Sequence, residues 1–360
     1  MAQGVWLALV YFGLMLLSSR WDASQIGYYV WWGISAGALL IGTLAYAVML
    51  ARGSGRPLWA ALGALLVLGV SVLESYYNHR AAWSAREPDV AEAPAPEWLQ
   101  LTQSLMERQP RLLNDRLEAL AAQRPGVVDL YALTFAPYAH EDVFRRESAM
   151  VAEVMAQRFG TAERTLQLVN HLETLEQWPW ATPLNLGRSI HHVARVMDRE
   201  EDILFIHLTS HGAADGELSA SFWPMSVETV TPERLKAWLD EAGVRYRVIS
   251  VSACYSGSWI APLADEYTLV MTAADADNTS YGCGRLSELT FFGRAVFDEQ
   301  LRNETRSFEA AHAAARPIID RREREAGKDD GYSNPQIHVG ERIRERLEVL
   351  EQGLAAGGAH

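Results

Sequence analysis

The chain has 360 residues, 49% of them hydrophobic and 21% charged, with a formal charge of −13. That length holds one substantial soluble domain plus a membrane part. The acidic balance argues against a nucleic-acid partner, whose binding leans on phosphate neutralisation by Lys and Arg, and two cysteines are too few for a disulfide framework.

The N-terminal quarter reads as membrane. Tyr28 to Leu50 carries no charge and is long enough to span; Pro57 to Val72 is a second candidate, with Tyr76 and Tyr77 at its end where interfacial aromatics belong. Val5 to Leu17 is shorter. It lacks a charged leader and a small-residue cleavage site, so it reads as a further span rather than a removable signal. Residues 1–86 are therefore expected to be an anchor of about three transmembrane helices. Arg52 and Arg56 favour a cytoplasmic loop between the second and third spans, which places the rest of the chain outside, on the periplasmic side of a bacterial inner membrane; Arg80 and Arg86 pull the other way.

Residues 87–125 open with a Pro, Ala and acidic linker, Glu87 to Glu97. Trp98 to Ala122 follows with Leu99, Leu101, Leu105, Leu112, Leu113, Leu117 and Leu120 among charges, which predicts an amphipathic helix broken near Pro110. Over 126–345 strands alternate with helices. Strands are expected at Val127 to Phe135, Leu166 to Val169, Ile203 to Ser210, Val248 to Ala253, Tyr267 to Thr272 and Gln336 to Val339. Helices are expected at Phe144 to Phe159, Leu186 to Met197, Pro232 to Glu241 with Thr231 as N-cap, Leu289 to Leu301, and from Phe308. Glu217 to Thr229 reads as a β-hairpin arm. This alternation implies an α/β fold, a mostly parallel sheet flanked by helices. Beyond Gly340 a charged amphipathic helix runs into a Gly/Ala tail, and residues 346–360 are assigned to that tail.

Two of these strands end on reactive side chains. The apolar run Ile203 to Ser210 gives out at His211-Gly212, and Val248 to Ala253 delivers Cys254 into Tyr255-Ser256-Gly257-Ser258. Sites in open α/β sheets lie outside the carboxyl ends of strands, so both residues are expected on one rim. A thiolate is the nucleophilic form of cysteine and a neighbouring imidazole supports it. Taken singly, Cys254 reads as a small buried hydrophobe and His211 as a loop histidine; together at two strand ends with glycines they read as a site.

Rival patterns are weaker. His207 and His211 lie roughly 13 Å apart on a strand and share no metal by that spacing. His191-His192 with Asp198 lacks a further ligand at zinc spacing. His140-Glu141-Asp142 reads as a solvated loop, and Ser256 and Ser258 lack the flanking glycines of a nucleophile elbow. No metal is called for. Cys283 reads as a buried neighbour or a redox partner of Cys254, with which a disulfide would silence the thiol.

Ser210-His211-Gly212, Ser252-Ala253-Cys254-Tyr255-Ser256-Gly257, and Met271-Thr272-Ala273-Ala274 through Thr279-Ser280-Tyr281-Gly282-Cys283 together resemble the legumain family of caspase-like cysteine peptidases, which includes the catalytic subunit of the glycosylphosphatidylinositol transamidase. The likeness runs from about Val127 to about Gly340 in the family's order. It implies a caspase-like fold and a membrane-anchored endopeptidase acting on a peptide or protein without a cofactor. Cys254 would attack the scissile carbonyl, His211 would handle the proton, and the amides of Gly212 and Cys254 would form the oxyanion hole.

The resemblance also implies a pocket for the residue before the cut, in the neighbourhood of Arg145, Ser252, Ser280 and Arg294. Arg145 matches the family's arginine. Ser252 replaces its glutamate and Arg294 stands where an aspartate is expected, which shifts the expectation from asparagine toward an acidic side chain held by two guanidinium groups. Arginines pairing with Glu147 and Asp298 on helix surfaces are the bland alternative. The family's asparagine near the histidine is missing; Ala136-Pro137-Tyr138 stand there. A transamidase with the same thioester chemistry and an inactive, membrane-tethered binding module remain as alternatives.

Overall fold

The computed structural model describes residues 99–284 and 287–357, together with Val48 and Arg52. The three apolar stretches and the linker fall outside the described residues. Among the described residues no helix is long and apolar enough to cross a membrane. The chain divides into two compact units, residues 1–95 and 96–360, and the second holds the fold described below.

Six strands form one sheet: β1 Leu130–Ala136, β2 Thr165–Val169, β3 Ile203–Thr209, β4 Tyr246–Ser252, β5 Thr268–Thr272 and β6 Gln336–Val339. Their spatial order is β2-β1-β3-β4-β5-β6. All neighbours are parallel except the β5–β6 pair at one edge. Every residue of β1, β3, β4 and β5 is buried. Strands covered on both faces read as apolar runs rather than alternations, which is why β3 and β4 stand out in the sequence.

Helices cover both faces. Leu113 and Leu117 from α1 (Gln103–Glu118) join Leu186, Ile190 and Val193 from α3 (Pro183–Val196) and Leu235 and Leu239 from α4 (Pro232–Ala242), packing on Leu204, Ile206 and Leu208. Opposite them, Val151, Val154 and Met155 of α2 (Asp142–Phe159) meet Phe297 of α5 (Arg294–Glu304) and Phe308 of α6 (Phe308–Glu325) over Ile203 and Phe205. Successive β3 residues thus feed opposite cores, as the two-residue period of a strand requires.

Several expectations need correction. Pro110 does not break α1. It lies on the exposed side, and its neighbour Gln109 clamps the helix to the fold by donating to Leu175 O at 2.9 Å and accepting from Trp180 N at 2.8 Å. Residues 217–229 form an arm closed by single antiparallel bridges rather than by a continuous ladder. Isolated bridges join Gly212 to Leu218, Leu218 to Val230 and Phe222 to Met225, and Pro224 within the arm has no N–H for a ladder. The helix over 289–301 starts with a turn at Phe291–Gly293 and continues as α5 in a π register to Glu304, where Asn303 Nδ2 reaches the carbonyls of Asp298 and Glu299 at 3.0 and 3.1 Å. The boundary drawn at residue 345 falls inside a helix. α7 (Glu341–Gly357) crosses that boundary and buries Ile343, Leu347 and Leu350 in the second core. The cap of α4 is as expected, with Thr231 Oγ1 accepting from Arg234 N at 3.3 Å.

Candidate active site

The chain runs from β1 out to edge strand β2 and then returns to β3 on the other side of β1, so the winding direction reverses between β1 and β3. Loops at the carboxyl ends diverge at such a point and leave a crevice. Register places the two reactive residues level with one another: Thr209 pairs with Ser252, and His211 and Cys254 each lie two residues further on. Ser210 N donates to Ser252 O at 3.2 Å, holding the two strand ends together past the ladder.

Gly212 shows how close the approach is. A methyl group on its Cα would overlap the carbonyl oxygen of Cys254, so only glycine fits beside that turn. The bridge to Leu218 is made by its neighbours, Ser219 N donating to His211 O at 2.8 Å and Ala213 N to Glu217 O at 2.9 Å. Among the described residues the amides of Gly212 and Cys254 have no acceptor. Two unpaired donors beside a thiol are what an oxyanion hole requires.

Tyr255, immediately after the thiol, has φ 55° and ψ 18°, a left-handed conformation that costs a non-glycine residue energy. Its amide is pinned to Asn278 O at 2.9 Å. A side chain at Gly257 would strike the backbone of Asp275 and Ala276, so the turn packs directly on the loop after β5. That loop returns Ser280 to the site, with Oγ 3.7 Å and carbonyl oxygen 3.8 Å from Cys254 Sγ.

Both cysteines are free and part-buried. The Cys283 thiol beside Cys254 acts as donor to its sulfur and, with Ser280 and the charge of His211, outweighs burial to hold the Cys254 thiol down to about 6. The Cys283 thiol is correspondingly pushed up, by donating to that sulfur and by burial. Cys254 is therefore placed to be a thiolate near neutrality.

His211 is fixed by aromatic walls. Tyr138 and Phe144 meet its ring edge-on with centroids 4.7 and 5.0 Å away. Glu141 Oε2 lies 3.1 Å from His211 Nε2. The sequence reading treated Glu141 as part of a solvated loop, and the structure turns it inward instead; a charged triplet between a strand and a helix carries no signal for such a turn.

The expected pocket residues have separate surroundings. Ser252 is 1% exposed, and its hydroxyl lies 3.1 Å from Thr290 Oγ1, which donates at 2.5 Å to the fully buried Glu147. Burial, the first influence on Glu147, would raise its carboxyl, but His207, Ser252 and Thr290 together hold it below the ordinary range. Arg145 pairs with Asp142 at 3.4 Å and Glu173 at 3.1 Å, and Arg294 with Glu288 at 3.1 Å. Each guanidinium thus carries carboxylates of its own, though not the Glu147 and Asp298 of the bland alternative. Both ring nitrogens of His207 are taken up elsewhere, Nε2 lying 3.1 Å from Glu147 and Nδ1 3.1 Å from Ser250.

The model of the Peptidase C13 family matches residues 186–339, from α3 through β6. No curated protein matches the chain. Among solved structures the chain is similar to caspase-1 from Spodoptera frugiperda, with 13% identity over 61% of this chain and 94% of that one and a TM-score of 0.44. It is likewise similar to pro-sf-caspase-1, at 12% identity over 59% of this chain and 87% of that one, TM-score 0.40. Both likenesses are too distant to bear on activity.

Proposed function

We propose that the protein is a cysteine endopeptidase of the Peptidase C13 type, tethered to a membrane by its N-terminal quarter. The observation that carries the reading is the juxtaposition at the β3 and β4 ends: a thiol held down to about 6, a histidine on the neighbouring strand end, and two amides without acceptors. The family match over 186–339 supports it, since that span contains both reactive residues.

In the proposed reaction the Cys254 thiolate attacks the scissile carbonyl carbon and the carbonyl oxygen takes the negative charge, facing the amides of Gly212 and Cys254. His211 gives its proton to the departing amine, leaving a thioester. Water, losing its proton to His211, then releases the acid and restores the thiol. The chain's own residues supply every group in this scheme. An acceptor amine in place of water would make the same thioester a transamidase intermediate.

A preference for acidic side chains requires Arg145 or Arg294 to exchange a carboxylate partner for substrate. A fluorogenic peptide panel varying the residue before the cut, run on the full-length chain with and without added amine nucleophiles, tests the proposal. Cleavage that disappears in Cys254→Ala and His211→Ala is the expected result, a fall of at least roughly 1000-fold. A stable chain that cleaves equally well after Cys254→Ala overturns it. Stronger cleavage after Asn than after Asp would remove the acidic preference alone.

A further inference from the structure

Glu141 occupies the N-cap position of α2, with φ −135° and ψ 118°, yet its side chain makes no capping bond. A polar residue there ordinarily turns back to the first amides of the helix. Its Oε2 is instead buried, lacks a hydrogen-bond partner, and lies 3.1 Å from His211 Nε2 in an ion-pair contact. The two side chains are 17% and 32% exposed, respectively. A carboxylate oxygen withdrawn from water and left without a hydrogen bond is costly, and the facing imidazole nitrogen is the polar group set against it.

The surroundings leave His211 as the cation that answers Glu141. The next residue, Asp142, takes up Arg145, Arg146 and His171 at 3.4, 2.6 and 2.8 Å. Among the described residues the ion pair of Glu141 is with His211 alone. Among the described residues the other titratable groups around this pair include Tyr138, whose ring abuts His211, His140 against the Tyr138 ring, and the thiols Cys254 and Cys283. Tyr138 and Phe144 fix the plane of the ring, and with Nε2 turned to Glu141 it is Nδ1 that remains for the thiol.

We propose that Glu141 is the positioning residue of this site. Its carboxylate holds the Nε2 side of His211, so that the proton leaving the Cys254 thiol is taken up at Nδ1 and kept there until the amine departs. This inference rests on the cysteine–histidine reading above. It also accounts for how the site works without an asparagine after β1: the chain carries Ala136-Pro137-Tyr138 there and supplies a carboxylate a few residues later.

The test measures inactivation of the full-length chain by a peptidyl chloromethyl ketone between pH 5 and 9, with the modified residue located by mass spectrometry. Wild type, Glu141→Gln and Glu141→Asp are compared, each checked by thermal unfolding. Glu141→Gln, nearly the same in shape, is expected to slow modification of Cys254 by roughly 100-fold, the scale of a misplaced catalytic group. Glu141→Asp, which keeps the carboxylate, should recover part of the rate. If Glu141→Gln does not fold, the ¹⁵N shifts of His211 in the wild type decide, with an Nε2 proton protected from exchange expected and a freely exchanging one overturning the role. A folded Glu141→Gln with wild-type rate and pH course overturns the role of Glu141 and leaves the dyad standing. A wild-type Cys254 that takes no electrophile overturns both.

Discussion

The two ends of the parallel sheet treat their acidic side chains in opposite ways. At the amino end, Asp129 accepts from Arg124 N at 2.8 Å, Nε at 2.9 Å and a terminal guanidinium nitrogen at 2.6 Å. Asp202, one residue before β3, accepts from the amides of Asp129 and Asp198, each at 2.8 Å. At the carboxyl end the amides of Gly212 and Cys254 have no acceptor among the described residues, and Glu141 Oε2 has only an ion-pair contact. The two carboxylates of the first end are each met by several donors, although Arg164 Nε and Thr268 Oγ1 there lack partners; at the second end the unmet groups are two amides and a carboxylate oxygen in the loops that carry the free thiol and the histidine. Polar groups in folded chains are nearly always paired, so unmet donors beside a nucleophile are places where a ligand's oxygen can complete them.

Substitutions at the two ends are therefore expected to separate activity from stability. The largest effect is expected from Gly212→Ala, because the added methyl would overlap the Cys254 carbonyl and push the two strand ends apart. Loss of one aligned oxyanion donor costs roughly 100- to 1000-fold in turnover, to be read as the cleavage rate of a fluorogenic peptide by protein shown to be folded. Asp202→Ala should do the reverse. It strands two buried amides, a cost of about 2–4 kcal/mol of unfolding free energy in denaturant melts, while folded protein modifies at Cys254 at the wild-type rate.

The amino end also has its own pH signature. Burial, against the two amide hydrogen bonds, raises the Asp202 carboxyl to about 6. A carboxyl raised above its unfolded value of about 3.9 favours folding most below that value, and its contribution is lost as pH rises through about 6. The wild-type chain should therefore lose this contribution across that window, and Asp202→Ala should lack it. Equal pH slopes in the two proteins would count against the assignment.

What the sequence made legible follows the same division. Strands β3 and β4 are buried on both faces and announce themselves as apolar runs, and the residues where they stop, His211 and Cys254, lie level on one rim because the register of parallel neighbours is set by those runs. Thr231 before Pro232 marks a helix start by local chemistry alone, and the structure caps it there. Glu141 was not legible, since whether a loop carboxylate faces water or an imidazole 70 residues later depends on tertiary placement. The closeness of Cys283 to Cys254 has the same origin, being set by how the loop after β5 returns. Pro110 misled for a related reason. A proline on a solvent-facing turn of a helix anchored by Gln109 on either side of the contact carries little of its usual penalty.

The central claim is that Cys254 is activated by its neighbours at the carboxyl end of the sheet. Its most direct test is the pH dependence of Cys254 alkylation by iodoacetamide in the full-length chain, for wild type and Cys283→Ala. Half-maximal reactivity near pH 6 in the wild type, moving upward toward the ordinary thiol range of about 8.5 when the Cys283 donor is removed, is the predicted result. A thiol that titrates in the ordinary range in both proteins would contradict it.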